Sequence, residues 1–334
     1  MAHRVTWLET GQAFEAQADE PVLSAALRCS VELQHDCRFG GCGTCRVKLV
    51  EGRVEYDELP MGLSEEEAEA GYALLCQARA CSDLVISAEP LQGCSPPTRL
   101  LACVTEVCAL ADDVTHLRLE LPDDSLQFRP GQYMNVLLED GSHRSFSMAS
   151  RPQGAVVDFH VRRIDGGRFT DHAVRALQVG DALEVELPLG SFHLHTQDYR
   201  PLVMMATGTG LAPLKSMLES LMDDPDCPPV SLYWGARTEA DLYLDAEIRT
   251  WGERLYEFRY EPVLSRASAG WAGRRGHVQD AVLQDVQDLG ECAFYLCGSP
   301  AMIADARAAL IARGADPDFI YTDSFLFQHE PATA

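Results

Sequence analysis

No stretch of this 334-residue chain approaches the run of about eighteen apolar residues that a membrane-spanning helix needs. Residues 1–7 run directly into a strand-like alternation with no apolar signal region, so a cytoplasmic protein is expected. Basic residues are scarce: 27 Lys and Arg stand against 51 Asp and Glu, a net charge of −24. Nucleic acids and anionic membranes both require basic surface, so neither is an expected partner. A reducing compartment also makes disulfides poor candidates for the twelve cysteines, which leaves metal ligation or catalysis. What remains is an ordinary globular composition, 46% hydrophobic and 23% charged, in a chain that suits two or three domains.

Four of the cysteines form a pattern. Cys37-Arg38-Phe39-Gly40-Gly41-Cys42-Gly43-Thr44-Cys45 places three in C-x4-C-x2-C spacing, and Cys76 follows downstream. That is the ligand spacing of a plant-type [2Fe–2S] cluster held by four thiolates. Gly40, Gly41 and Gly43 permit a loop wound tightly round a sulfide cluster and can aim N–H groups at its sulfurs. The alternative is a structural zinc site, but such modules pair C-x2-C with a second close pair, which is lacking here. His35 and Arg38 flank the ligands and are read as solvated loop residues. Cys29, Cys81, Cys94, Cys103, Cys108, Cys227 and Cys292 are scattered and are expected to be reduced, small apolar residues. Around the loop, strand signals at 5–8, 13–16, 45–50 and 83–88 accompany a helix at 22–29 and a capping box from Ser64 to Glu67. Residues 1–95 hold 16 acidic against 7 basic residues, a denser charge than the 35 against 20 that follow. Such acidity suits steering toward a basic partner, and equally suits simple solubility.

The stretch 92–98 is rich in breakers, and a linker is expected at 94–98 between a first domain at 1–93 and a second beginning at 99. Period-two patterns follow at 101–107, 115–121, 133–138, 145–148, 156–162 and 183–187, interrupted by one helical piece at 170–177. Many short strands with Gly and Pro turns suggest a small antiparallel barrel over 99–197. Within it, Arg144-Ser145-Phe146-Ser147 offers a guanidinium for a pyrophosphate, a ring for stacking and a hydroxyl for a heterocycle nitrogen. Gly166-Gly167-Arg168-Phe169-Thr170 follows a strand and opens a helix, a natural place for phosphate. His193 and His195 share a strand face but lack a third metal ligand nearby in sequence.

From 198 to 334 the pattern turns to strand–helix alternation, the sign of a parallel α/β sheet. Strands are expected at 201–206, 230–234, 258–264 and 293–296, helices at 214–222, 247–251, 278–283 and 301–313, and a final stretch at 319–327. Thr207-Gly208-Thr209-Gly210-Leu211-Ala212-Pro213 joins the first strand to its helix, and its glycines let the backbone approach a pyrophosphate. Tyr233-Trp234-Gly235-Ala236-Arg237 and Cys297-Gly298-Ser299-Pro300 end two further strands.

In this order the motifs resemble those of the ferredoxin–NAD(P) reductase superfamily, in the form where a plant-type ferredoxin precedes the reductase, as in bacterial ring-hydroxylating oxygenase reductases. The resemblance covers essentially the whole chain and implies a multidomain fold: a β-grasp ferredoxin, an antiparallel β-barrel flavin domain and an α/β parallel-sheet NAD-binding domain. It implies Cys37, Cys42, Cys45 and Cys76 as cluster ligands. For FAD it implies Arg144, Ser145, Phe146 and Ser147, with Ser147 at flavin N5; Gly167, Arg168, Phe169 and Thr170 at the phosphates; His160, Val161 and Arg162 beside the ribityl and adenosine portion; and Phe325 over the ring. Phe146 departs from the family's usual Tyr, which keeps the stacking and loses a phenolic hydrogen bond. For NAD it implies Thr207, Gly208, Thr209, Gly210, Ala212, Pro213, Gly235, Arg237, Cys297, Gly298 and Pro300. Ser147, Cys297 and Asp323 would be catalytic, with Cys297 near nicotinamide C4. NADH is expected over NADPH, because no second basic residue closely follows Arg237 while Glu239 and Asp241 would oppose a 2′-phosphate. The implied activity is electron transfer from NADH through FAD to the cluster and on to a separate terminal oxygenase. A deoxysugar dehydratase is the alternative acceptor, and a zinc-bound interaction module is the reading from a different class.

Overall fold

The computed structural model describes residues 2–31, 33–35, 38, 40–41, 43–88, 97–124, 126–195 and 199–325. Cys37 and Cys42, most of the expected linker and the last residues of the expected 319–327 stretch lie outside them. Two compact units divide the chain, residues 1–93 and 94–334.

The first unit is built on five strands: β1 (Ala2–Trp7), β2 (Ala13–Gln17), β3 (Arg46–Glu51), β5 (Tyr72–Leu74) and β7 (Leu84–Ser87), with β4 (Val54–Glu55) and β6 (Arg79–Ala80) forming a separate pair. Their order is β2-β1-β7-β3-β5, with β1 and β7 parallel at the centre and antiparallel pairs outside, a β-grasp sheet. Helix α1 (Val22–Arg28) buries Val22, Leu23, Ala25 and Ala26. No side chain caps it. Its first amides instead donate to the carbonyls of Ala78 and Leu75, which docks the helix onto the segment carrying Cys76. Helix α2 (Glu65–Glu69) opens on the expected capping box, with Ser64 and Glu67 bonding each other's backbone N–H.

The second unit begins with six antiparallel strands, β8 (Thr98–Ala111), β9 (Val114–Glu120), β10 (Tyr133–Leu137), β11 (His143–Ser147), β12 (Val156–Arg162) and β13 (Ala182–Leu189), in the order β11-β10-β13-β8-β9-β12. The bridge between Met148 and Phe159 joins the two ends of that order and closes the barrel. Thr98, expected in the linker, opens β8, and this strand is twice as long as its hydrophobic pattern suggests. It pairs with β13 over its first half and with β9 over its second, bending at register shifts after Val104 and Ala109. The expected helix at 170–177 is a π-helical turn, Arg168–Ala173, running into the short α3 (Val174–Ala176).

Six parallel strands follow: β14 (Leu202–Thr207), β15 (Val230–Ala236), β16 (Arg259–Leu264), β17 (Arg274–Arg275), β18 (Ala293–Gly298) and β19 (Ile320–Ser324). Their order is β17-β16-β15-β14-β18-β19, so the chain builds outward from β14 in one direction and then returns to build in the other. Ligands of open α/β sheets bind at such a switch point, outside the carboxyl ends of the strands. The sheet is covered on both faces, and neighbouring residues divide between them: Met204 packs into the cluster of Leu214, Met217 and Trp234, whereas Met205 packs with Tyr233, Phe294 and Ile303. Helices α4 (Leu211–Leu221), α5 (Asp245–Ile248), α6 (Val278–Asp285) and α7 (Pro300–Ala312) connect the strands. α4 starts three residues before the expected 214 because Pro213 is accommodated in its first turn.

Candidate active site

The antiparallel register of β3 with β5 pairs Arg46 with Leu74, so the next residues outward are Cys45 and the turn bearing Cys76. The Cys76 N–H donates to Cys45 Sγ at 3.4 Å, and both side chains are buried. Amide-to-sulfur bonds of this kind suit a thiolate ligand, whose charge they offset. The loop before them turns at Gly40, whose φ of +82° belongs to glycine and whose missing Cβ would lie 2.7 Å from Pro60. His35 and Arg38, expected to be solvated loop residues, bond each other at 3.0 Å in an exposed position, with Arg38 the donor.

In the second unit, three strand ends from two sheets meet. Register sets Ala206 opposite Cys297 and Cys297 opposite Asp323 across β14, β18 and β19. Ser147, the last residue of β11, donates to Asp323 Oδ2 at 3.4 Å, and the Cys297 thiol donates to the same oxygen at 3.8 Å. Ser147 and Cys297, the former 176 residues from Asp323, thus share its one carboxylate. Burial, reinforced by the Asp323 charge, pushes the Cys297 thiol well above its ordinary value, so it is a neutral donor and not a thiolate. Phe325 follows directly, its N–H donating to the Gly298 carbonyl.

The dinucleotide turn packs onto the same strand end. A Cβ on Gly210 would lie 2.3 Å from the Cys297 carbonyl oxygen, so only glycine allows this approach. Gly235 is wedged between Thr207 and Val278 of α6, and Arg237 follows the end of β15. Ser299 caps α7 and Pro300 opens it. Ala212 and Pro213 are buried within α4, and Val161 and Phe169 lie in the barrel core. All four side chains face the interior, which leaves the backbone as their means of meeting a cofactor.

On the barrel side, Phe146 packs against Phe169 with ring centroids 5.4 Å apart. Ser145 donates to Asn135, Arg144 bonds the His143 carbonyl, and Arg168 pairs with Asp140. Gly167 has no room for a Cβ, which would meet Thr170 Oγ1 at 2.5 Å. His160 Nδ1 lies 3.1 Å from the hydroxyl of Tyr243, whose ring stands edge-on to Trp234, and Trp234 Nε1 donates to the Gly208 carbonyl. This chain ties β12 to the dinucleotide turn. Tyr243 and its partner role have no motif around them and were invisible in the sequence. Arg162 completes the wall. Its Nη1 would lie 3.2 Å from a Cβ on Gly208, and its Nε faces Asp113 at 3.4 Å without a proper hydrogen bond. Nε and Nη2 are buried and unsatisfied among the described residues. A buried donor left so costs about 1–3 kcal/mol, more when charged. A phosphate at Gly208 would relieve that cost, so the residues present fit a bound dinucleotide.

Burial, aided by the charge of Lys215, pushes His160 down to about 3 from its ordinary 6.5, so the ring is neutral at physiological pH. A histidine depressed in the folded state contributes stability above its unfolded pKa and loses it as pH falls toward the folded value. The unit 94–334 should therefore lose stability on acidification from about pH 6.5. Urea midpoints followed by flavin fluorescence should fall more steeply between pH 7.5 and 5 in the parent than in His160→Gln; parallel slopes would assign the acid sensitivity elsewhere.

His193 and His195 stack at 4.5 Å, and His193 Nε2 accepts from Arg129 at 2.9 Å, which occupies that nitrogen.

Fold and site together define a flavin-dependent electron-transfer oxidoreductase with its own iron–sulfur domain. Family models match in the same order: a 2Fe-2S iron-sulfur cluster binding domain at residues 5–81, an oxidoreductase FAD-binding domain at 102–194 and an oxidoreductase NAD-binding domain at 204–308. Reductase component 1 of terephthalate 1,2-dioxygenase from a Comamonas species is 34% identical over 97% of this chain and 98% of its own. CDP-6-deoxy-L-threo-D-glycero-4-hexulose-3-dehydrase reductase of Yersinia pestis is 32% identical over 95% of this chain and 96% of its own. The crystal structure of an Amycolatopsis cytochrome P450 reductase superposes with a TM-score of 0.72 at 33% identity, covering 97% of this chain and 98% of that one. The chain belongs to the ferredoxin–NAD(P) reductase superfamily, in the branch that carries an N-terminal [2Fe–2S] domain. Its cofactors are FAD, the [2Fe–2S] cluster and the nicotinamide dinucleotide, which removes the zinc-module reading. No helix among the described residues is long and apolar enough to cross a membrane.

Proposed function

We propose that this chain is the cytoplasmic, NADH-dependent reductase of a separate Rieske-type aromatic-ring oxygenase. The meeting of Ser147 and Cys297 on Asp323 carries the reductase chemistry; the full-length kinship with the terephthalate system favours the oxygenase partner. FAD, when bound, supplies the conversion between a two-electron hydride and a one-electron cluster. Around it, Arg144 and the turn from Gly167 through Arg168 to Thr170 hold phosphate, Phe146 stacks, and Phe325 covers the ring. Ser147 presents its hydroxyl to the reacting heterocycle edge, and Asp323 fixes both that hydroxyl and the Cys297 thiol. Thr207, Gly208, Thr209, Gly210, Gly235 and Gly298 line the nicotinamide dinucleotide, and Arg162, expected beside FAD, reaches its phosphate from the barrel side at Gly208. Glu239 and Asp241 are held in place by Ser268 and Thr238, and their charges beside Arg237 disfavour a 2′-phosphate.

Cys37, Cys42, Cys45 and Cys76 hold the cluster, and the terminal oxygenase docks beside that loop. Leu59 and Met61, 43% and 76% exposed, flank Pro60 under Gly40 and supply an apolar centre within an acidic unit. The Yersinia relative supports a dehydratase as the second reading. Incubating the reductase and NADH with an oxidised Rieske oxygenase, a sugar dehydratase or a ferric P450 separates the acceptors. Appearance of the reduced Rieske EPR signal is expected; reduction of only one of the other two would overturn the oxygenase assignment. Phe146→Tyr should slow FAD dissociation about fivefold, the equivalent of one net hydrogen bond of about 1 kcal/mol. An unchanged dissociation rate would show that stacking and the phosphate contacts alone retain the flavin.

A further inference from the structure

Cys108 was expected to be a small apolar residue, but it is exposed, as are Cys29, Cys81 and Cys103; only Cys227 and Cys292 among the described scattered cysteines are buried. Its surroundings are unusual. In the β8–β9 register Cys108 stands opposite His116, and Glu106 lies two residues earlier on the same face of β8. Glu106 Oε1, Cys108 Sγ and His116 Nδ1 form a triangle with sides of 3.4, 3.8 and 3.6 Å. Metal–ligand bonds of about 2.0–2.3 Å in a tetrahedral centre require ligand separations of about 3.3–3.5 Å, close to this triangle.

Each of two ligands has an orienting partner behind it. His116 Nε2 lies 3.5 Å from Asp158 Oδ1, a carboxylate that can accept the ring proton's hydrogen bond when Nδ1 is given to a metal. Arg118 holds Glu106 by its other oxygen at 2.8 Å and also donates to Asp158 at 2.7 Å. Glu106 and Asp158 set two carboxylates against the one guanidinium of Arg118, an excess of negative charge that a divalent cation would neutralise.

We propose that Glu106, Cys108 and His116 form a three-ligand site for a borderline-soft divalent cation, zinc above all, built wholly from the barrel. Binding forms bonds to Sγ, Nδ1 and Oε1, releases the Cys108 thiol proton to solvent and leaves a fourth position for water. The metal clamps β8 to β9 beside His160, whose ring centroid lies 6.4 Å from that of His116. No electron leaves or enters, so the site needs no co-reactant.

The full chain, loaded with flavin and cluster, would be titrated with Zn²⁺ against a chromophoric chelator. One equivalent should bind, Cys108→Ser should weaken it at least about a hundredfold, and Asp158→Asn about tenfold. Zinc-edge absorption should show one sulfur near about 2.3 Å and lighter ligands near about 2.0–2.1 Å. Flavin reduction by NADH should be the same in Cys108→Ser as in the parent, which separates this proposal from the reductase assignment. A four-sulfur shell would mean mis-loading of the cluster cysteines and would overturn the proposal, as would undiminished affinity in Cys108→Ser or no bound equivalent.

Discussion

Cys76→Ser should lower NADH-driven reduction of cytochrome c by at least about a hundredfold, while NADH should still bleach the flavin near the parental rate. Serine preserves the shape of the buried side chain, so the α1 amides keep their bonds to Leu75 and Ala78 and the sheet register is undisturbed. What is lost is the thiolate, and a hydroxyl is a far poorer ligand for iron. One-electron acceptors therefore lose their donor. Two-electron dyes, served by the second unit, should not, because residues 94–334 form a separate compact unit. Stopped-flow absorbance measures the flavin phase and EPR the cluster. Loss of both phases together would show that the two units do not act as independent stations.

Ser147→Ala should slow NADH-driven flavin bleaching about a hundredfold with little change in KM, the range expected when a positioned hydroxyl is removed from a reacting centre. Asp323 accepts from both donors. Because Cys297 bonds the same carboxylate oxygen, deleting the serine hydroxyl leaves the thiol held and the dinucleotide turn packed on Gly298. The loss then falls on the chemical step and not on binding. Single-turnover kinetics across NADH concentrations decide the matter. A raised KM at an unchanged limiting rate would make Ser147 a binding group only.

Much of the architecture was legible in the chain. The C-x4-C-x2-C loop, the glycine turns and the switch from period-two strands to strand–helix alternation are local features, each carried by neighbouring residues. The capping box at Ser64 and Glu67 formed as written, because its hydrogen bonds span three residues. The illegible parts depend on partners remote in sequence. β8 runs to Ala111 because two different strands pair with its halves, and hydrophobic alternation records neither. Ala212 and Phe169 carry motif positions but face the core, a distinction that only packing makes. Cys108 reads as one scattered cysteine among seven until β9 sets His116 across from it.

The order of the three modules and the chemistry each can support were determined by the sequence, since ligand spacing and phosphate-binding turns are properties of short segments. Only the tertiary structure brought Ser147 and Cys297 onto the Asp323 carboxylate and set Arg162 against Gly208. The physical reason is register: parallel pairing of β14, β18 and β19 and closure of the barrel fix which strand ends converge, and no residue carries that information alone.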